Sequence, residues 1–161
     1  DTLPKNVDIG ITAHSFDYIG VRTRYKANIG WIGYHPSLLP RHRGRSSIEW
    51  AVRMRDAITG GTVFWLNSGI DRGDIAYQDI CFIDPKLYGI EPRKAAKLLW
   101  EHELQEMGLR LIEKALTDIS KGIIIKNPQK KEYSTFEPNT DIKDVFKPDL
   151  LMLEQFASSS T

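Results

Sequence analysis

Two short apolar runs joined by a stretch of helical character constrain this chain more than any other feature. Val7-Asp8-Ile9-Gly10-Ile11-Thr12-Ala13 reads as a buried strand, and Ile29 to Tyr34 as a second. Residues 18–27 between them predict a short helix, although they include Gly20. A strand, a helix and a strand in that order favour parallel pairing, because the helix carries the chain back to the same end of the sheet. The pattern then continues. A helix is expected over 47–57, with Ser46 or Ser47 as N-cap and Gly60-Gly61 as its stop. Thr62 to Leu66 is β-branched and aromatic and predicts a strand, as does Asp74 to Ile83. Residues 91–120 predict the clearest helix. Trp100, Leu104, Met107, Leu111 and Ala115 form one apolar stripe read as core packing, with Pro92 in the first turn and Gly122 beyond the end. Ile123 to Ile125 predicts a last short strand. The expected fold class is α/β, with a mostly parallel twisted sheet.

The 161 residues suit one domain, with 41% hydrophobic and 27% charged residues arguing against disorder. We expect a domain over 1–138 and a polar tail over 139–161, frayed at its end. No apolar run approaches the roughly 20 residues of a membrane span. The first ten residues carry Asp1, Lys5 and Asp8, unlike a signal peptide, so a cytoplasmic location is expected. Cys81 is the single cysteine, which excludes an intrachain disulfide and a cysteine-based metal site. His14 and His102 lack a ligand set around them, so no metal is expected. The net charge of +1 gives no global polyelectrolyte field.

The stretch with the most chemistry is His35-Pro36-Ser37-Leu38-Leu39-Pro40-Arg41-His42-Arg43-Gly44, directly after a predicted strand. Ligands bind at the carboxyl ends of strands in open α/β sheets. Two prolines and a glycine fix the loop's path, and a histidine at its root can donate, accept or exchange a proton near neutral pH. Gly69-Ile70-Asp71-Arg72-Gly73-Asp74 follows another predicted strand, and its glycines permit tight turns against a ligand. Asp71 is then expected to aim its carboxylate at the same edge of the sheet. His42 reads as a loop-packing residue and Asp74 as turn chemistry. Trp31, Trp50 and Trp65 read as packing near the sheet.

These two motifs, His35 to Gly44 and Gly69 to Asp74, stand with His35 and Asp71 separated by 36 residues. The sequence thereby resembles the folate-dependent formyltransferase family from about residue 7 to about 138, including Tyr133-Ser134-Thr135-Phe136-Glu137-Pro138. The family includes glycinamide ribonucleotide, methionyl-tRNA and sugar amine formyltransferases, and the hydrolase domain of 10-formyltetrahydrofolate dehydrogenase. The resemblance implies a Rossmann-like formyltransferase sheet lacking the family's N-terminal βαβ units. It implies transfer of a formyl group from N10-formyltetrahydrofolate, the formyl donor, to an amine. His35 would stabilise the developing oxyanion or shuttle protons, and Asp71 would orient the amine and accept its proton. The folate would lie against Ala13, Ser15, Phe16, Asp17, Tyr18 and Ile19 on one side, and against Asn67, Ser68, Gly69 and Ile70 on the other.

The family's usual asparagine, two places before the histidine, is Gly33 here. The run Tyr34 to Gly44 resembles the dehydrogenase group's hydrolase domain closely. Hydrolysis of 10-formyltetrahydrofolate is therefore one alternative, and an inactive folate- or nucleotide-sugar-binding module another. Arg41, Arg43, Arg45, Arg53 and Arg55 form a local basic cluster, read first as a solvated face and second as a contact for acceptor phosphates, such as those of tRNA. Expected partners are a folate and an amine acceptor, with tRNA and a second copy of the chain (a homodimer) as further candidates, and no membrane.

Overall fold

The computed structural model describes residue 4, residues 6–15 and residues 17–140. Four strands form one sheet in the order β1 (Val7–Ala13), β2 (Ala27–His35), β3 (Ile58–Trp65) and β4 (Ile75–Phe82). β1 and β2 pair in parallel, while β2 with β3 and β3 with β4 pair antiparallel. The sheet is therefore mixed, and the expectation of a mostly parallel sheet is corrected. The physical reason lies in the connections. Between β2 and β3 the helix α2 (Ser47–Arg53) has seven residues, a rise of about 10 Å. The connection stays at the carboxyl end of β2, where α2 packs on α3, so β3 enters the sheet from that end, with Thr62 opposite His35. The loop between β3 and β4 is shorter than the dozen or so residues that a parallel crossover needs.

The first helix, α1, is a single turn over Val21–Arg24 rather than the ten residues expected. Gly60 and Gly61 do not stop a helix; they lie inside β3. A Cβ on Gly61 would stand 2.3 Å from the Tyr34 hydroxyl, so the missing side chain is where the Tyr34 ring lies. Ser46 occupies the N-cap position of α2, but its hydroxyl is engaged by Asn139 and Thr140 instead of by the helix.

The long helix expected over 91–120 is divided into α3 (Pro92–Leu99), a π turn (Trp100–Leu104) and α4 (Gln105–Ser120). Pro92 takes the first turn, and the Glu91 carboxylate accepts from the amides of Arg93 and Lys94. The π turn meets Tyr34, whose hydroxyl donates to the Leu104 carbonyl at 2.6 Å. Such widened turns recur where a helix adapts to a site. Beyond α4, Gly122 has φ +78°, its amide donates to Ile119, and the Ile123 amide donates to Asp118. That pair of bonds is a Schellman cap.

α4 packs on β2, β3 and β4, and α2 packs on α3. The core joins Ile32, Tyr34, Val63 and Trp65 of the sheet to Leu99, Leu104, Met107, Leu111 and Ala115. Ile123 to Ile125 forms no strand; instead Asn127 exchanges two hydrogen bonds with Ile75, and the Trp65 indole donates to the Ile125 carbonyl. Residues 135–140 return to the loop after β2. Thr135 and Arg43 bond through their backbones, and the Trp50 indole donates to the Pro138 carbonyl. Of the tail expected over 139–161, residues 141–161 lie outside the described residues.

Candidate active site

Side chains alternate across a strand, so Gly33 and His35 share the face of β2 opposite to Ile32 and Tyr34. Parallel register brings the carboxyl end of β1 beside that of β2, with Ala13 opposite Tyr34, so His14 follows next to His35. The loop carrying Asp71 reaches the site by another route than expected. Because β3 is antiparallel to β2, the chain leaves β3 beside Trp31 and Ile32, where the Leu66 amide donates to the Trp31 carbonyl. It then folds back across the face of β2. A Cβ on Gly33 would stand 2.9 Å from Leu66 Cδ1, 2.9 Å from Thr12 Oγ1 and 3.1 Å from Phe64. The glycine thus makes room for the returning chain, and the volume a larger residue would fill is occupied by those three side chains.

The returning loop ends on His35. Asp71 Oδ2 accepts from the Gly44 amide at 2.8 Å and stands 3.6 Å from His35 Nδ1. His35 is buried, and its Nε2 lies 2.7 Å from the His42 carbonyl oxygen. A carbonyl only accepts, so Nε2 carries the proton. Nδ1 then holds a lone pair in the neutral ring and a proton in the imidazolium, in either case directed toward Asp71. Asp71 itself has φ +50°, the left-handed conformation that aspartate tolerates.

Gln129 joins the two loops, a role that no sequence motif announced. Its amide nitrogen donates to the carbonyls of Asp71 and Gly73, and its oxygen accepts from the Arg43 guanidinium. The arginine cluster is sorted in the same way. Arg43 is held by Gln129, Arg41 by Asp56 and Arg53 by Glu49, while Arg45 lines the cavity described below.

His42 is a buried packing residue with carboxylates on both sides, Asp56 Oδ2 at 2.7 Å and Glu137 Oε1 at 3.2 Å. The His42–Asp56 pair has the make-up of a catalytic dyad, but neither residue lines that cavity. Burial alone would depress the His42 pKa; Glu137 and Asp56 override it and hold it above its ordinary 6.5. Burial likewise disfavours the charged Glu137, and His42 and Thr135 reverse that, holding it below its ordinary value. A raised histidine pKa contributes stability that is complete below about 6.5 and is lost as pH rises through the raised value. A lowered glutamate pKa contributes stability above about 4.3, lost in acid. The melting temperature should therefore fall as pH rises from about 6 to 9, and His42→Gln should flatten that fall. An unchanged slope in the variant would contradict this assignment.

The site opens into a cavity of about 510 Å³ between the two segments implicated by sequence. Ser15, Asp17, Tyr18 and Ile19 line one wall, Asn67, Ser68, Gly69, Ile70 and Asp71 another, and His35 the floor with Thr12, Phe64 and Leu66. The Tyr18 hydroxyl donates to the Ser68 carbonyl at 3.2 Å, linking the walls. Ala13 does not line the cavity, and Phe16 lies outside the described residues. His14 also lines it, with φ +55° and its ring stacked on Trp100 at 4.1 Å. Its pKa is lowered by burial and by the charge of His35. Sequence had marked His14 only as a non-ligand and Trp100 only as core. Their meeting depends on the π turn, which the apolar periodicity does not reveal.

Among the described residues no group of three or more His, Cys, Asp or Glu could hold a metal ion. No described helix is long and apolar enough to cross a membrane.

Comparison with known proteins agrees with this geometry. Mitochondrial 10-formyltetrahydrofolate dehydrogenase of Homo sapiens is 37% identical over 108 residues, covering 67% of this chain and 11% of that protein. Methionyl-tRNA formyltransferase of Methylacidiphilum infernorum is 38% identical over 109 residues, covering 68% and 32%. The chain thus matches about a tenth of the length of the dehydrogenases. HypX from Aquifex aeolicus, in complex with tetrahydrofolic acid, shares the fold with a TM-score of 0.68 at 18% identity, over 83% of this chain and 22% of that one. An N-formyltransferase from Helicobacter canadensis, in complex with folinic acid and dTDP-3-aminofucose, shares it with a TM-score of 0.61 at 22% identity, over 79% and 44%. The sequence profile of the formyl transferase family matches residues 4–95, more than half of the chain. This chain belongs to the formyl transferase family.

Proposed function

We propose that the chain transfers a formyl group from 10-formyltetrahydrofolate to an amine, with His35 and Asp71 as the catalytic pair. The observation that carries the reading is one cavity bounded by Ser15, Asp17, Tyr18 and Ile19 and by Asn67–Asp71, with His35 at its floor. In that reading the pterin is held between the two walls, where a folate ring finds backbone groups and the apolar side chains of Ile19, Phe64, Leu66 and Ile70. The amine nitrogen attacks the formyl carbon, and the new C–N bond forms as the carbonyl oxygen becomes an oxyanion. Asp71, held by the Gly44 amide, takes the amine's proton, directly or through a water. His35 in its protonated form donates from Nδ1 to the oxyanion, whose charge balances its own. Collapse breaks the bond to N10 of the folate, which takes the proton held by Asp71 as it leaves as tetrahydrofolate.

Hydrolysis is the second reading, favoured by the lack of a side chain at Gly33. With Thr12, Leu66 and Phe64 packed there, position 33 offers no side-chain donor to an oxyanion. Water would then take the amine's place and formate would be the product. The discriminating experiment is turnover of 10-formyltetrahydrofolate by the full chain, with and without a panel of amines. Tetrahydrofolate that accumulates only with an amine supports transfer, formate released without one supports hydrolysis, and no turnover in either condition contradicts both.

A further inference from the structure

One stretch of backbone touches both members of the proposed catalytic pair. The His42 carbonyl accepts from His35 Nε2 at 2.7 Å, and the nearby Gly44 amide donates to Asp71 Oδ2 at 2.8 Å. We infer that His42 is a positioning residue for the reaction: its side chain, clamped between Asp56 and Glu137, fixes the peptide that sets the tautomer of His35 and the amide that holds Asp71. The reaction here is the formyl transfer proposed above, and the inference rests on that reading; the clamp itself stands on the contacts around His42.

The backbone at His42 needs such a clamp. Its φ is +53°, the left-handed conformation that a residue with a side chain keeps only where its surroundings impose it. Those surroundings come from two distant segments. The His42 amide donates to Thr135 Oγ1 at 2.8 Å, the Arg43 amide to the Thr135 carbonyl at 3.1 Å, and the Thr135 amide to the Pro40 carbonyl at 3.1 Å. The imidazole is buried. Its Nε2 lies 2.7 Å from Asp56 Oδ2, on the segment after α2, and its Nδ1 lies 3.2 Å from Glu137 Oε1.

The clamp requires the charged ring. A neutral imidazole has one N–H and one lone pair, so it answers one carboxylate; the imidazolium answers both. Glu137 is the more dependent of the two. It is buried, and its Oε2 has no hydrogen-bond partner among the described residues. Asp56 also pairs with Arg41 at 3.2 Å, and that guanidinium stands 3.4 Å from His42 Nε2. Tyr88, also titratable, donates its hydroxyl to the Asp56 carbonyl. Burial opposes the charge on His42, and Glu137 and Asp56 outweigh it, so the ring titrates above its ordinary 6.5. Loss of that proton turns a ring lone pair toward a carboxylate and leaves a buried charge unanswered. The peptide then relaxes from the left-handed conformation and the His42 carbonyl turns away from His35 Nε2. The tautomer of His35 is no longer fixed, because the hydrogen bond at one ring nitrogen decides which nitrogen carries the proton.

The test follows the ring nitrogens of His35 by NMR in the full chain, assigned with His35→Gln, and the ring protons of His42 in the same sample. The neutral His35 ring is expected as one tautomer, protonated at Nε2, and should become a mixture as pH rises through the titration of His42. In His42→Gln the mixture should be present wherever His35 is neutral. There kcat for 10-formyltetrahydrofolate should fall by about 10²-fold, the cost of misplacing a reacting group by about 1 Å, with KM within about threefold. Glu137→Gln keeps His42 and removes the charge facing Nδ1. It should lower the pH at which His42 titrates and carry the His35 step down with it, and it decides the question if His42→Gln does not fold. A His35 tautomer that ignores the titration of His42, in the parent or in Glu137→Gln, overturns the inference, as does an unchanged kcat in His42→Gln. A parent chain without turnover removes the formyl-transfer reading alone, and the tautomer step still decides whether His42 positions His35.

Discussion

Replacing Asp71 with asparagine is expected to lower turnover of 10-formyltetrahydrofolate by about 10²–10⁴-fold, the range of a lost general base. Tetrahydrofolate affinity should change by no more than about threefold. Asparagine keeps the shape and accepts the left-handed backbone conformation, φ +50°, that Asp71 adopts. Its amide oxygen can still receive the Gly44 amide, so the link between the two loops survives. What is lost is the negative charge beside His35 Nδ1 and the ability to take a proton. The measurement is kcat against folate Kd. Matched losses in the two would show that Asp71 builds the pocket rather than serving the reaction.

Gly73→Ala is expected to destabilise the chain by about 3 kcal/mol or more, the upper range for overpacking at a site with no soft neighbour. A Cβ there would stand 1.5 Å from the Trp65 carbonyl oxygen, a backbone atom that no rotamer change can move. Relief requires shifting the β3–β4 loop, including the Trp65 amide bond to the Asp74 carbonyl and the Gln129 bond to Gly73. The same shift displaces Asp71, so activity falls with stability. Gly89→Ala is the matched control, because nothing lies within 4 Å of the added carbon. It should stay within about 0.5 kcal/mol of the parent. Urea midpoints at constant m-value measure both, and equal midpoints for the two variants would refute the argument.

The two motifs were legible because each carries its own constraint. Pro36, Pro40 and Gly44 define one loop and Gly69 and Gly73 the other, and both lie next to strands rich in β-formers. His35 and Asp71 were thus placed near each other before any pairing was known. Strand direction was not legible from periodicity, since alternating strands and helices look alike whether a helix crosses over or merely caps a loop. The segment after β2, which stays at the carboxyl end of that strand, and the short loop after β3 decide it, and they produce antiparallel pairs. Asp71 therefore arrives by folding back over Gly33 rather than by sharing a strand edge with His35. Gln129, and His14 with Trp100, escaped sequence reading for a related reason. Each gains its role from a partner more than 40 residues away, so neither spacing nor residue type signals it.

The central claim is that the formyl donor lies in the cavity between the two wall segments, beside His35. The most direct measurement is NMR mapping of the full chain during titration with folinic acid, a stable formylated folate. The account predicts saturable shifts confined to the amides of Ser15–Ile19, Asn67–Asp71 and their neighbours around His35. Absence of saturable shifts, or shifts centred on another surface such as Ile58 and Phe82 at the far end of the β3–β4 pair, would contradict it.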